Sequence, residues 1–349
     1  MTRNRLIDLY SDTGTRPTTA MRQAMASAEV GDEQRGEDPT TIALQERVAD
    51  LLGKEAALFL PSGTMCNQIA LLTHCRKGDE VIGAEYTHVF SSEGGGGSAF
   101  ANVQTWPIAC ANGIFSAEQL IAAIRPQSRY TPTPRLVVIE QTNNRGGGSI
   151  WPLDRINAVA EAAHARGLIV HMDGARILNA AISAATPAKD MAKNCDTVWL
   201  DLSKGLGCPV GGVLAGSRAF IEEAWRWKQR MGGAMRQSGI IAAAGLHALD
   251  HHVERLAEDH ANAALLAKLI GEIDGVRLMT PQPETNIVYF DIDIPGLALK
   301  DVTATLLEQN VRMGTPYGGI RAVTHLDVSR ADIEAAADIL GRVLANRSR

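Results

Sequence analysis

Short apolar runs alternate with amphipathic stretches along the first two-thirds of the chain. The runs at 56–60 (AALFL), 80–84 (EVIGA), 135–140 (RLVVIE), 167–172 (GLIVHM) and 196–202 (DTVWLDL) are mainly apolar and show no polar alternation. Strands covered on both faces read this way, so the pattern predicts a mostly parallel sheet between helices. Between the runs, Ile42, Leu44, Val48, Leu51 and Leu52 recur near the helical period. Ser116-Ala117-Glu118-Gln119 is a capping box, followed by Leu120, Ile121 and Ile124. Residues 65–74 and 153–165 read as further helices. Alternating strands and helices predict an α/β fold with right-handed crossovers.

The pattern changes near residue 238. A long Ala- and Leu-rich helical region at 238–271, broken once, precedes strands at 276–279 and 286–292. Residues 299–309 read as helix, 319–323 as extended chain and 330–345 as helix. The expected organisation is an N-terminal arm with a large domain over 1–249 and a small C-terminal α+β domain over 250–349.

Composition narrows the class. Glycine stands at 33 of 349 residues, above the ~7% average, but without a period, and 45% of the chain is hydrophobic. Collagen-like and disordered classes are thereby excluded. Lys+Arg 34 against Asp+Glu 39 leaves a formal charge of −5, which argues against a nucleic-acid binder. No apolar run approaches the ~18 residues of a membrane span, and no signal peptide is expected at the N-terminus. Cys66, Cys75, Cys110, Cys195 and Cys208 form no Cys-x-x-Cys pair, which fits a reducing cytoplasm.

Four features carry candidate chemistry. Lys204 follows an apolar strand within Ser203-Lys204-Gly205-Leu206-Gly207. A lysine at a strand's carboxyl end is placed for Schiff-base chemistry, although a surface lysine in a flexible turn would look the same. Asp173 ends the run Leu168–Met172, where a buried carboxylate needs a partner. A pyridinium nitrogen or a salt bridge to Arg176 would serve equally. Leu60-Pro61-Ser62-Gly63-Thr64 leads into a helix and can bind an anion at the helix N-terminus, or can be an ordinary N-cap. His88 follows the strand at 80–84 and can be a structural residue, a ring neighbour or a proton carrier. No Gly-x-x-x-x-Gly-Lys loop or Gly-x-Gly-x-x-Gly follows these strands. Taken together, an anion cradle, a ring neighbour, a ring-nitrogen partner and an imine lysine are what pyridoxal 5′-phosphate (PLP) requires.

In several ordered blocks the chain resembles the low-specificity L-threonine aldolases, of the β-eliminating lyase group of fold-type I PLP enzymes. These are Asp8-Leu9-Tyr10-Ser11-Asp12-Thr13, Gly36-Glu37-Asp38-Pro39-Thr40, Pro61-Ser62-Gly63-Thr64, His171-Met172-Asp173-Gly174-Ala175-Arg176, Ser203 to Gly211, Met235-Arg236-Gln237-Ser238-Gly239 and Val323 to Ser329. The resemblance implies an aspartate-aminotransferase-like fold and retro-aldol cleavage of L-β-hydroxy-α-amino acids to glycine and an aldehyde. It implies that Lys204 carries PLP as an imine, with Ser62, Gly63 and Thr64 at the phosphate. Asp173 would meet the pyridine nitrogen, with His88 on the ring. Ser11, Arg176 and Arg321 would grip the substrate carboxylate, a task suited to bidentate arginine. A cytoplasmic homotetramer, a dimer of dimers with interface active sites, is implied, with Arg236 reaching a neighbouring subunit's site. No metal is expected.

Two departures are visible. The family usually has Glu-Asn-Thr-His where this chain has Glu140-Gln141-Thr142-Asn143. Asn143 would still contact substrate but cannot titrate, which leaves His88 or a water as base. Arg35 replaces a frequent tyrosine. Both predict a shifted side-chain preference, towards a larger or more polar β-substituent than that of threonine. A β-elimination releasing ammonia and a keto acid, and a catalytically silent PLP-binding protein, are the competing readings.

Overall fold

The computed structural model describes residues 5–345. Its elements in order are β1 (Ile7–Asp8), α1 (Thr19–Ala26), α2 (Pro39–Leu52), β2 (Ala56–Leu60), α3 (Gly63–His74), β3 (Glu80–Ala84), the single turn α4 (His88–Ser91), β4 (Gln104–Ile108) and α5 (Ala117–Ala123). There follow β5 (Pro134–Glu140), α6 (Leu153–His164), β6 (Ile169–Gly174), α7 (Ile177–Ser183), α8 (Ala188–Ala192), β7 (Thr197–Asp201), β8 (Gly212–Gly216), α9 (Arg218–Arg230) and α10 (Gly239–His251). The chain ends with α11 (Leu256–Gly271), β9 (Val276–Leu278), β10 (Ile287–Ile292), α12 (Leu299–Glu308), β11 (Val311–Arg312), β12 (Ile320–Val323) and α13 (Arg330–Ala345).

The central sheet has seven strands in the order β2-β8-β7-β6-β5-β3-β4. From β7 to β4 all pairings are parallel, and β8 alone runs against its neighbours. The interior strands are buried on both faces, as their unbroken apolar runs require. The mostly parallel α/β architecture is therefore the one expected, and the five predicted runs are β2, β3, β5, β6 and β7. Two strands escape the pattern. β4 contains Pro107 and lies on the edge, where a missing N–H is tolerated. β8 begins and ends in glycine; a Cβ on Gly216 would stand 2.9 Å from Phe220 and from Thr197.

Parallel pairing aligns the carboxyl ends of three neighbouring strands. Glu140 of β5 registers with Asp173 of β6, and β7 ends in Asp201. Three acidic side chains thus meet at one edge of the sheet, in the crevice where open α/β sheets bind ligands.

The C-terminal unit packs α11 on the antiparallel sheet β12-β10-β9, with α13 against α11 and α12. Its core includes Leu266, Ile270, Phe290, Leu306, Ile333 and Leu340. Leu249 belongs to the large core, whereas Ala263 belongs to the small one. The N-terminal segment crosses over: β1 pairs with β11, and Leu9 is buried in the small core.

Candidate active site

At the head of α3, Ser62 is extended and its Oγ accepts from Met65 N at 3.2 Å. This N-cap fixes the helix start; the first N–H groups, of Gly63 and Thr64, have no partner within the helix, and both residues line a cavity. Gly63 is required by contact, since a Cβ there would lie 2.2 Å from Cη2 of Trp199.

Asp173 sits at the end of β6 and is buried. One oxygen accepts from Ala175 N at 3.1 Å, the other from Asn67 Nδ2 at 2.8 Å. Burial, reinforced by the negative charge of Glu140, pushes its carboxyl above the usual range against the opposing effects of His88, Lys204 and Asn67. Arg176 does not neutralise it. The guanidinium instead forms a bidentate pair with Asp12, which decides against the salt bridge to Asp173.

Lys204 lies just beyond β7, with Nζ 2.8 Å from Asp201 Oδ2. Its turn is tight: Gly207 has φ +76°, and a Cβ on Gly205 would meet Leu256 at 2.9 Å. The lysine is therefore set in a packed turn, with its carbonyl bound by Thr15 Oγ1 at 2.8 Å. Arg321 Nη1 donates to Asn144 Oδ1 at 2.9 Å and Nη2 to the Tyr10 carbonyl at 3.2 Å. Ser11 Oγ accepts from Thr13 N and Thr13 Oγ1 at 3.2 and 2.9 Å.

These groups enclose a cavity of about 340 Å³, within the range of small-ligand sites. Ser11, Gly63, Thr64, His88, Asp173, Arg176, Lys204 and Arg321 all line it. Two expected residues do not. Ser62 contributes only its cap. Asn143 is fully buried against Gly113, and its Oδ1 accepts from Gly146 N at 2.7 Å to hold the following turn. The residue that this stretch delivers is Asn144, one place along, together with Thr142. Arg35 is exposed and paired with Asp32, which also receives Arg236, and neither arginine lines the cavity. Asn143 and Arg35 thus do not reach substrate from within this chain's own cavity.

Glu140, Asp201, Trp199 and Tyr317 line the cavity without having been singled out. Glu140 ends a predicted apolar run and Asp201 lies next to the last residue of another, so the signal that drew attention to Asp173 marks them too. Tyr317 comes from the small unit and stacks under Arg145, whose Cζ is 3.5 Å from its ring centroid. The donor set fits PLP. It offers a helix N-terminus for phosphate, a buried carboxylate whose raised pKa suits proton sharing with a ring nitrogen, and a lysine amine. His88 supplies a flat side wall.

Comparison with known proteins agrees with this geometry. Residues 8–293 match the beta-eliminating lyase family. The chain is 41% identical over 334 residues to the low specificity L-threonine aldolase of Escherichia coli K12, covering 95% of this chain and 97% of that protein. It is 40% identical over 338 residues to the probable low-specificity L-threonine aldolase 2 of Arabidopsis thaliana, covering 95% of each. A Leishmania major threonine aldolase structure superposes with TM-score 0.82 at 19% identity, covering 97% of this chain and 99% of that one.

Proposed function

This chain belongs to the beta-eliminating lyase family, among the low-specificity L-threonine aldolases, and we propose on that premise how its cavity cleaves L-β-hydroxy-α-amino acids, threonine included, to glycine and an aldehyde. It is a PLP-dependent carbon–carbon lyase. The observation that carries the reading is the meeting of Lys204, Asp173 and the head of α3 around one cavity that Arg176 and Arg321 also enter.

Gly63 and Thr64 would hold the cofactor phosphate through their N–H groups, and Lys204 would hold the cofactor through its amine Nζ. When bound, PLP supplies the electron sink for the pair released as the Cα–Cβ bond breaks. Asp173 would face the ring nitrogen and favour its protonated form. Arg176, Arg321 and Ser11 clamp the substrate carboxylate and so set which bond at Cα is aligned for cleavage. His88 takes the β-hydroxyl proton at Nε2, the ring nitrogen that Glu93 leaves free. Lys204, whose Nζ stands at the cavity, would supply the proton that completes glycine at Cα.

A division near residue 250 is supported by the two separate cores, with β1 crossing it. A homotetramer with interface sites is supported by relatedness alone. Among the described residues no helix is long and apolar enough to cross a membrane. A cytoplasmic setting is supported by five unpaired cysteines.

The test is turnover by purified protein with PLP on L-threonine, L-allo-threonine and phenylserine. Glycine and aldehyde in equal amounts are expected. Ammonia and a keto acid would establish β-elimination instead, and no turnover of any of the three would revive the silent reading. Lys204→Ala should lose both turnover and the visible absorption band.

A further inference from the structure

Glu93 follows α4 and lies outside the cavity wall, with its carboxylate wholly buried. Three side chains converge on it. Asn67 Nδ2 donates to Oε1 at 2.6 Å, Gln68 Nε2 to Oε2 at 2.6 Å, and His88 Nδ1 lies 2.9 Å from Oε1. Among the described residues its ion-pair partner is His88.

The orientation of this network follows from donor and acceptor chemistry. Trp199 Nε1 can only donate, and it lies 2.8 Å from Asn67 Oδ1. The amide NH2 of Asn67 must therefore face the two carboxylates, giving one hydrogen to Glu93 and one to Asp173. His171 Nε2, 3.1 Å from the same Oδ1, is a donor as well, and its Nδ1 accepts from Thr197 Oγ1 at 2.9 Å. An ionised Glu93 only accepts, so His88 gives it the Nδ1 hydrogen. The Nε2 lone pair is then left to the cavity that His88 lines.

We propose that Glu93 is the positioning residue for His88: it holds Nδ1–H, presents the Nε2 lone pair to the β-hydroxyl, and balances the imidazolium formed when that proton arrives. The inference rests on the aldol reading above. The proton moves from the hydroxyl to Nε2, the Nδ1 proton stays with Glu93, and the new positive charge faces one buried negative charge. The charged groups facing His88 are Glu93, Asp173 from β6, Lys204 beyond β7, and Glu140 from β5, whose Oε2 also accepts from the His88 backbone N at 2.7 Å. Burial pulls the His88 imidazole down, but the Glu93 hydrogen bond and the charges of Asp173 and Glu93 outweigh burial and Lys204. The net direction is upward.

The same network accounts for one glycine of the run at 94–97, and backbone conformation for two more. Gly94 and Gly95 have φ +62° and +73°, the left-handed region. A Cβ on Gly96 would lie 2.6 Å from Cδ of Gln68, the side chain that holds Glu93 Oε2.

The test is the imidazole titration of His88 by NMR in the PLP-loaded protein without substrate, beside the pH dependence of kcat/KM. Glu93→Gln keeps size and removes charge. Its His88 midpoint should fall by about one pH unit or more, with the acid limb of kcat/KM moving the same way. The loss in kcat/KM should be about 10- to 100-fold, within the span of a general base. That loss should vanish in a His88→Phe background. If Glu93→Gln does not fold, Glu93→Asp keeps the charge, withdraws it by one methylene, and should shift the midpoint less in the same direction. An unmoved midpoint and acid limb, or a loss of equal size in the His88→Phe background, would overturn the proposal. A shifted titration without glycine release would instead count against the aldol reading.

Discussion

Arg176 directs Nε and Nη2 at the two oxygens of Asp12, each at 2.7 Å, and both side chains are buried. Burial alone would raise the Asp12 carboxyl, but the charge and hydrogen bonds of Arg176, with help from Lys204 and Asn286, hold it well below the usual carboxylate range. One edge of the guanidinium is thus committed to orientation, while Arg176 also lines the cavity. The pair ties the N-terminal segment to the end of β6.

Asp12→Ala would leave a buried guanidinium without its counter-charge. A loss of about 3–5 kcal/mol is expected, read by denaturant unfolding, together with a rise in substrate KM. Unchanged stability and KM would show that the pair neither anchors nor aims Arg176.

Gly63→Ala places a methyl group into the Trp199 indole at the head of α3. Overpacking of this kind costs about 1–3 kcal/mol, and the displaced N-terminus should bind PLP more weakly. Equilibrium dialysis of the cofactor checks this; wild-type affinity in the variant would refute a phosphate site at Gly63.

Asn143 and Asn144 should separate cleanly. Asn143→Ala removes the acceptor for Gly146 N and should cost about 1–3 kcal/mol of stability while leaving KM near wild type. Asn144→Ala frees Arg321 Nη1 and should raise KM with little change in stability. Steady-state kinetics beside thermal melts would expose the opposite pattern if Asn143 were the contact residue.

Acid should weaken the fold before the ordinary surface carboxylates titrate. Burial drives the His171 imidazole down to about 3 from its usual 6.5, and His74 and His260 down to about 4. Between these values the unfolded chain binds more protons than the native one, so stability rises with pH and is lost as pH falls below 6.5. His171 accounts for about 2 kcal/mol at pH 5. The raised carboxyls of Asp173 and Asp259 act with the opposite sign. The melting temperature of His171→Gln should therefore depend less steeply on pH between 7 and 5 than that of the native chain. Parallel slopes would contradict the assignment.

Much of the cavity was legible along the chain because its residues sit where elements end. Asp173, Lys204 and the Ser62–Thr64 turn all follow apolar runs, and an apolar run ending in a polar group is a local pattern. Asn143 shows the limit. A turn held by Gly146 N turns its side chain inward, so neighbouring residues exchange the roles that linear spacing assigns.

Hydrophobic periodicity by itself determined the parallel sheet, most helix positions and the change of architecture after 238, since burial acts on each element's own side chains. Ordered motifs determined the family and, with the lysine–aspartate spacing, the cofactor. Only the tertiary structure decided that Arg176 turns to Asp12, that Arg321 leans on Asn144, and that Glu93 meets His88 directly while Asn67 and Gln68 also donate to it. These partners lie on different elements, and a buried charge selects whichever complementary group the packing brings within hydrogen-bond reach. The chain order of residues holds no record of that choice.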